Sequence, residues 1–390
     1  MRMKALAKNI IKYPLTVCFS AFILLVFVLY FAVPDKEMSE WENRYLSSKP
    51  ELKISDVVDG SFMEKYEDYI NDQIPFRDGF IKVKAVGEML ILKCENNGIV
   101  RGKDSYLFTK GSDDTSKFDK NIQIISQFID EKASENRNII VAIAPNASGV
   151  LNSKVPKGVL MPNQAVKLDE MYSDNSLLKG ARVVDLKCVL KAHEDEYIYY
   201  RTDHHWTTYG AYLAYHEISE NPVELSELSE CFGMGEEDGF LGTLYAKYKG
   251  MFVKPDVITY YDIPVKSYKT DDNARSGLLD KTKLSVFDKY GMFLYGNFGR
   301  CDIESIDASD DEVLAGRRDK KDSLIIIKDS YANCLVPFLT FDYKNITLID
   351  LRYYNESITD LLSEKRDADI LFINNFDFLN EDNHFYKLVQ

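Results

Sequence analysis

Residues 199–218 read YYRTDHHWTTYGAYLAYHEI. An acid, two imidazoles and an indole stand side by side there: Asp203, His204, His205 and Trp206. The chain has only 5 histidines and 2 tryptophans in 390 residues, so the stretch concentrates scarce chemistry. It admits a metal site, the acid–base half of a catalytic triad, or a packed corner in which a buried His–Asp pair holds a loop. A metal needs a third and fourth ligand. His193, Glu194 and His216 are near in sequence, but none stands in an HExxH or similar spacing. Asp203 and His205 are two residues apart. A turn between them lets the carboxylate take one ring nitrogen and leaves the other for a hydroxyl. Trp206 is placed to cover the ring and keep water off it.

Such a base needs a nucleophile, and the elements that position one can be read from the pattern. Phe118, Ile122, Ile125, Phe128 and Ile129 form one face of a helix. The runs 138–144 (NIIVAIA), 181–186, 323–328 (SLIIIK), 345–351 (NITLIDL) and 368–373 (ADILFI) read as strands. Tyr197–Tyr200 reads as a shorter strand leading into the motif, and Thr208–Ile218 as a helix capped near Thr207 or Thr208. Helices are expected over 331–339 and 356–365, so the C-terminal part alternates strand and helix with short links. That is the pattern of parallel crossovers. The predicted fold class is α/β, a parallel sheet flanked by helices. The stretch 222–300 is less regular and reads as an insertion over the edge or mouth of the sheet.

Ligands in such sheets sit beyond the carboxyl ends of the strands. The residues there are Asn146, then Asp329 and Ser330, then Arg352, Tyr353 and Tyr354, then Asn374 and Asn375. Ser330 is the candidate nucleophile. Its hydroxyl would face the crevice, and the N-terminal amides of the following helix would face the same space. A serine here is also an ordinary helix cap. Arg352 could bind an anionic group or pair with Asp350 or Asp360. Tyr353 and Tyr354 offer faces for a sugar ring, or core packing. Asn146 reads as a turn residue.

Composition narrows the partners. The formal charge is −14, which argues against a nucleic-acid partner, since phosphate binding needs clustered Lys and Arg. Residues 1–13 carry Arg2, Lys4, Lys8 and Lys12 and no acid, and 15–33 carry no charge. Asp35, Glu37, Glu40 and Glu42 follow. This reads as a cytoplasmic basic tail (1–13) and a transmembrane signal anchor (14–33), with the rest outside. Pro34 makes a poor cleavage site for a signal peptide. A stalk and leading helices then fill 34–95, with helices predicted at 62–70 and on through Leu92. The remaining domain is 96–390. Six cysteines without a CxxC pair argue against a zinc ribbon or a disulfide-rich module.

The stretch TDHHWTTYGAY resembles the defining signature of the DHHW family, and IIIKDSYAN resembles the Asp-Ser turn of SGNH hydrolases, with Lys328 where their glycine stands. The DHHW family is similar to the SGNH-hydrolase-like domains of alginate-type polysaccharide O-acetyltransferases. WENRYLSSKPEL (41–52), DQIPFRD (72–78) and LIDLRYY (348–354) extend the likeness. The acid–base pair precedes the serine and is spaced D-x-H, an order shared with the alginate-type domains. The resemblance implies an SGNH-like fold and a triad of Asp203 (acid), His205 (base) and Ser330 (nucleophile). His204 fills the variable position. It implies no cofactor and no metal. The oxyanion donor is expected at Asn375 or Asn374, and substrate contacts at Arg352, Tyr353 and Trp206. The expected activity is extracytoplasmic O-acylation, with acetyl the expected group, of a cell-surface or exopolysaccharide acceptor. A multi-span membrane O-acyltransferase would deliver the acyl donor. A carbohydrate esterase with the same triad and a non-catalytic glycan-binding scaffold are the alternatives.

Overall fold

The computed structural model describes residues 12–39, 44–91, 93–132, 137–174, 176–306 and 320–390. Arg2, Lys4, Lys8, Glu40, Trp41, Glu42 and Leu92, on which several sequence expectations fall, lie outside these residues. The chain divides into two compact units, Met1–Lys93 with Lys249–Met251, and Cys94–Tyr248 with Phe252–Gln390.

The first unit holds α1 (Pro14–Ala32), α2 (Ser61–Gln73) and α3 (Arg77–Leu90). Helix α1 has 19 residues, none of them buried. It is long and apolar enough to cross a membrane, which is compatible with a single-pass anchor. Asp72, at the end of α2, is buried and takes both guanidinium nitrogens of Arg44 at 2.8 and 2.5 Å. The Arg44 hydrogen bonds come first among the influences on Asp72 and hold its carboxyl down at about 2.

The second unit is built on one sheet. Helix α4 (Ser116–Lys132) precedes β1 (Ile139–Ala144) and β2 (Arg182–Val184), and α5 (Thr208–Ile218) follows the motif. Next come β3 (Val265–Thr270), β4 (Asn273–Arg275), β5 (Arg300–Ser305), β6 (Lys321–Lys328), β7 (Tyr343–Ile349), α6 (Ile358–Glu364), β8 (Asp369–Asn375) and α7 (Phe376–Glu381). The strand order is β4-β3-β5-β7-β6-β8-β1-β2. The five strands from β7 to β2 are parallel. The other three run antiparallel. The sheet is therefore mixed: the expected parallel sheet forms its five-stranded part, and antiparallel pairing extends it at one side. The insertion does not only overlie the edge, because β3, β4 and β5 extend it. Their residues alternate polar and apolar, the pattern of half-exposed antiparallel strands, unlike the continuous apolar run of β6.

Alternation along β6 sends Leu324 and Ile326 into one apolar cluster with Trp206, Tyr199 and Tyr215, and Ile325 and Ile327 into another with α4 and α6. The chain leaves β6 for β7 on one side and returns to β8 on the other. This reversal makes the end of β6 a topological switch point, where a crevice opens. Ser330 follows β6 after Asp329, as the first residue of a 3₁₀ turn (Ser330–Cys334), and the helix expected over 331–339 is this turn followed by a short α-helix (Val336–Leu339).

The motif lies in a tight loop. Tyr197–Tyr200 forms no strand; Tyr199 instead makes one isolated antiparallel bridge to Trp206. The loop closes as Tyr200 N–H donates to His205 O at 3.2 Å and Thr207 N–H to Ile198 O at 2.9 Å. Helix α5 follows at once, with the Thr207 hydroxyl accepting from Gly210 N–H at 3.1 Å. Gly210 sits so close to the loop that a Cβ would lie 2.3 Å from Ile198 O and 3.1 Å from Trp206 Cβ. Gly210→Ala is expected to destabilise the domain by about 1–3 kcal/mol through overpacking, read as a lower urea midpoint. Gly277→Ala, where an added Cβ meets nothing within 4 Å, should not share the loss.

Candidate active site

The loop and the switch point bring together side chains 125 residues apart. His205 Nε2 is 2.8 Å from Ser330 Oγ, and His205 Nδ1 is 2.5 Å from Asp203 Oδ1. Asp203 and His205 are buried, while Ser330 is half-buried and lines a cleft.

Asp203 is the most heavily bonded group in the site. Its Oδ1 accepts from the His205 N–H at 3.0 Å and from the imidazole. Its Oδ2 accepts from the Thr243 N–H at 2.8 Å and the Thr243 hydroxyl at 3.0 Å. A carboxylate has about four lone-pair sites, and all are used. Burial alone would raise this acid. The attraction of His205 and then His204, with the hydrogen bonds behind them, outweighs burial and holds it well below the usual carboxylate range. An ionised Asp203 can only accept, so His205 carries its proton on Nδ1. Nε2 is then bare and accepts from the Ser330 hydroxyl. Asp203, His204 and His205 also lie close enough together to suggest an ion site. However, the Asp203 lone pairs are all filled by protons, and this donor set fits proton transfer better than a cation.

Residues from the insertion hold the loop. Gly242 packs against Asp203 so tightly that a Cβ would fall 2.3 Å from Oδ2. Tyr290 lays its ring on the His205 ring at 3.7 Å and 7°, and its hydroxyl donates to Ser330 O at 2.9 Å. Asp256 is fully buried and accepts from Arg201 N–H, Thr202 N–H and the Thr202 and Tyr197 hydroxyls. None of these residues was a sequence candidate. The Gly-Thr of GTLY is the one local signal, since it stands where a strand gives way to a helix.

Asp329 turns out to be a strap. It is buried, its Oδ1 caps the 3₁₀ turn at Tyr331 N–H (2.8 Å), and its Oδ2 takes Asn375 N–H on β8 at 2.7 Å. Burial pushes its carboxyl up.

Several expected roles are corrected. Asn375 lines the cleft, but its backbone N–H goes to Asp329, its side-chain amide donates to Ala144 O at 3.1 Å, and its carbonyl caps α7. The side-chain amide has a second N–H, so one donor of Asn375 remains at the cleft for an oxyanion. Asn374 is fully buried, and alternation puts it on the β8 face shared with Ile370 and Phe372, away from Asn375. Trp206 is fully buried and bonds Tyr331 O through Nε1 at 2.9 Å. It cannot reach substrate, and Tyr290 covers the imidazole instead. Tyr353 is exposed and is not among the residues lining the cleft. Arg352 does line it, and its guanidinium is paired with Asp350 at 2.9 and 2.6 Å.

The lowered pKa of Asp203 sets a pH signature. The unfolded carboxyl titrates near 3.8 and the folded one below that. The stabilisation is therefore complete above the unfolded value and is lost as pH falls through the folded one. Asp203→Asn is expected to cost about 3 kcal/mol at about pH 6, and less at about pH 3, by urea unfolding at the two pH values.

The chain resembles known proteins in part of its sequence and in its fold. Residues 99–231 match the family described as the SGNH hydrolase-like domain, acetyltransferase AlgX. A DHHW family protein from Eubacterium siraeum is 26% identical, with a TM-score of 0.59 over 76% of this chain and 96% of that one. Bacillus cereus PatB1 is 18% identical, with a TM-score of 0.60 over 74% of this chain and 98% of that one. Its structure with a sulfonyl adduct gives 18% and 0.57 over 74% and 97%. These last two establish likeness of fold. No curated protein matches the sequence. The chain is similar to the DHHW family and to the SGNH hydrolase-like acetyltransferase domain, and it has their α/β fold.

Proposed function

We propose that the chain is an O-acyltransferase that uses Ser330 as nucleophile, His205 as base and Asp203 as the acid that orients it. The observation that carries this is the unbroken hydrogen-bond chain Asp203–His205–Ser330 opening on a cleft at the switch point. Ser330 Oγ attacks the acyl carbonyl carbon as its proton passes to His205 Nε2. The bond to the leaving group breaks and that group takes the proton. An acceptor hydroxyl then gives its proton to His205 Nε2 and attacks the acyl-serine, and Ser330 Oγ leaves with the proton. The Ser330 N–H opens the 3₁₀ turn, so it has no partner within that turn and is the oxyanion donor in this reading.

The acetyl group and a polysaccharide acceptor are supported by the likeness to AlgX-type domains. An extracytoplasmic site is supported by the apolar α1 preceded in sequence by Arg2, Lys4, Lys8 and Lys12. A multi-span membrane O-acyltransferase that brings the acyl group across is the partner this location calls for.

An acyl or sulfonyl adduct is expected on the peptide bearing Ser330 and on no other, by mass spectrometry. Ser330→Ala should lower ester turnover at least about a thousandfold. Equal turnover in wild type and variant would make the chain a scaffold. Free acid as the sole product with a glycan present would make it an esterase.

A further inference from the structure

His204 has the same carboxylate behind it as His205, reached by a second route. Its Nδ1 lies 2.7 Å from Thr243 Oγ1, and Thr243 Oγ1 lies 3.0 Å from Asp203 Oδ2. A threonine hydroxyl has one proton. Asp203 is ionised and accepts only, so the hydroxyl proton points at Oδ2. The Thr243 oxygen is left with lone pairs alone toward His204, and His204 must supply the proton of that contact from Nδ1. Its Nε2 is then bare. No described residue bonds this nitrogen, and the half-buried ring lines the cleft beside Ser330. Loss of solvation, and then the nearness of His205, lowers the pKa of the His204 imidazole, which favours the neutral ring with that lone pair.

The ring is also held in place. The Tyr331 hydroxyl, next to the nucleophile, donates to His204 O, and the His204 and His205 rings lie 3.8 Å apart. Asp203 therefore fixes two imidazoles in the same tautomer, one facing the nucleophile and one facing the cleft.

Resting on the triad reading above, we infer that His204 is an acceptor-binding residue whose Nε2 takes a hydrogen bond from a second hydroxyl of the incoming alcohol. The acceptor class is then a 1,2-diol of the kind a sugar ring carries, since a neighbouring hydroxyl can reach His204 while the first meets His205. Thr243 is a positioning residue that sets the His204 tautomer.

The test uses the full chain in detergent, p-nitrophenyl acetate as donor, and two matched acceptors, cis-cyclohexane-1,2-diol and cyclohexanol. Wild type is expected to transfer to the diol about tenfold better than to the mono-alcohol. His204→Asn keeps a donor for Thr243 but presents nothing to the cleft, so the ratio should fall to about one. His204→Gln can present its carbonyl oxygen near the Nε2 position and should keep most of the preference. Imidazole ¹⁵N spectra should show His204 protonated on Nδ1 and bare on Nε2, with the assignment lost in Thr243→Val. An equal diol preference in wild type and both variants, no preference in wild type, or a proton on His204 Nε2 overturns the inference and leaves the triad standing. Absence of any acyl adduct on Ser330 overturns the triad, and the inference with it. If His204→Asn does not fold, His204→Phe, which also presents no acceptor to the cleft, takes its place beside His204→Gln and the spectra.

Discussion

Asp203 is a buried carboxylate with nowhere to send its charge but into its neighbours. An isolated ion in that position would cost several kcal/mol, and the site is arranged around meeting the cost. Two of its four lone-pair sites go to His205 and two to Thr243. The first pair fixes the imidazole ring and its tautomer. The second fixes a segment 40 residues further along the chain against the other oxygen of the same carboxylate. A single group thus sets both the protonation pattern of the site and the path of the loops around it.

The sheet by itself could not provide this. A parallel strand end offers a turn, a helix N-terminus and one or two side chains, as β6 does with Asp329 and Ser330. The base arrives on a loop outside the sheet, and that loop needs its own backbone partners. The irregular stretch 222–300 supplies them. Asp256 satisfies two amides and a hydroxyl of Arg201 and Thr202, and Gly242 leaves the room that Asp203 fills. A segment that reads as decoration is the scaffold of the loop bearing Asp203 and His205, which explains buried polar residues in a region with little periodicity.

What could be read from sequence follows the range of the interactions. Helix α5 and the strands around SLIIIK are specified by local periodicity and caps, and they stand within a few residues of where the pattern put them. Ser330 was reachable because strand-end placement in a wound sheet is a rule of topology. Asp203 and His205 were reachable because they are neighbours. The Tyr290 stack, the Thr243 bonds and the Asp256 bonds span 40 to 85 residues, and no local pattern encodes them. Asn375 is a related case: its position at a strand end is visible in sequence, but the use of its backbone N–H by Asp329 and of one amide N–H by Ala144 is not. Trp206 was misread because tryptophan next to a histidine suggests a lid, whereas its indole N–H found a carbonyl in the core.

Lys328 shows how the nucleophile and the base are kept at their distance. It is buried behind Ser330, at the position where SGNH hydrolases carry glycine, and burial pulls its ammonium down in pKa. Its Nζ donates to Asn333 Oδ1 at 2.6 Å and to Asn297 Oδ1 at 3.0 Å, so it ties the 3₁₀ turn bearing Ser330 to the insertion. Tyr290, from the same insertion, touches the His205 ring with its face and the Ser330 carbonyl with its hydroxyl. The separation of 2.8 Å between His205 Nε2 and Ser330 Oγ is therefore braced from one side by a segment that carries neither residue. Removing charge or ring from that brace would leave His205 and Ser330 present and their spacing uncontrolled, so the proposed chemistry would depend on residues that no triad motif contains.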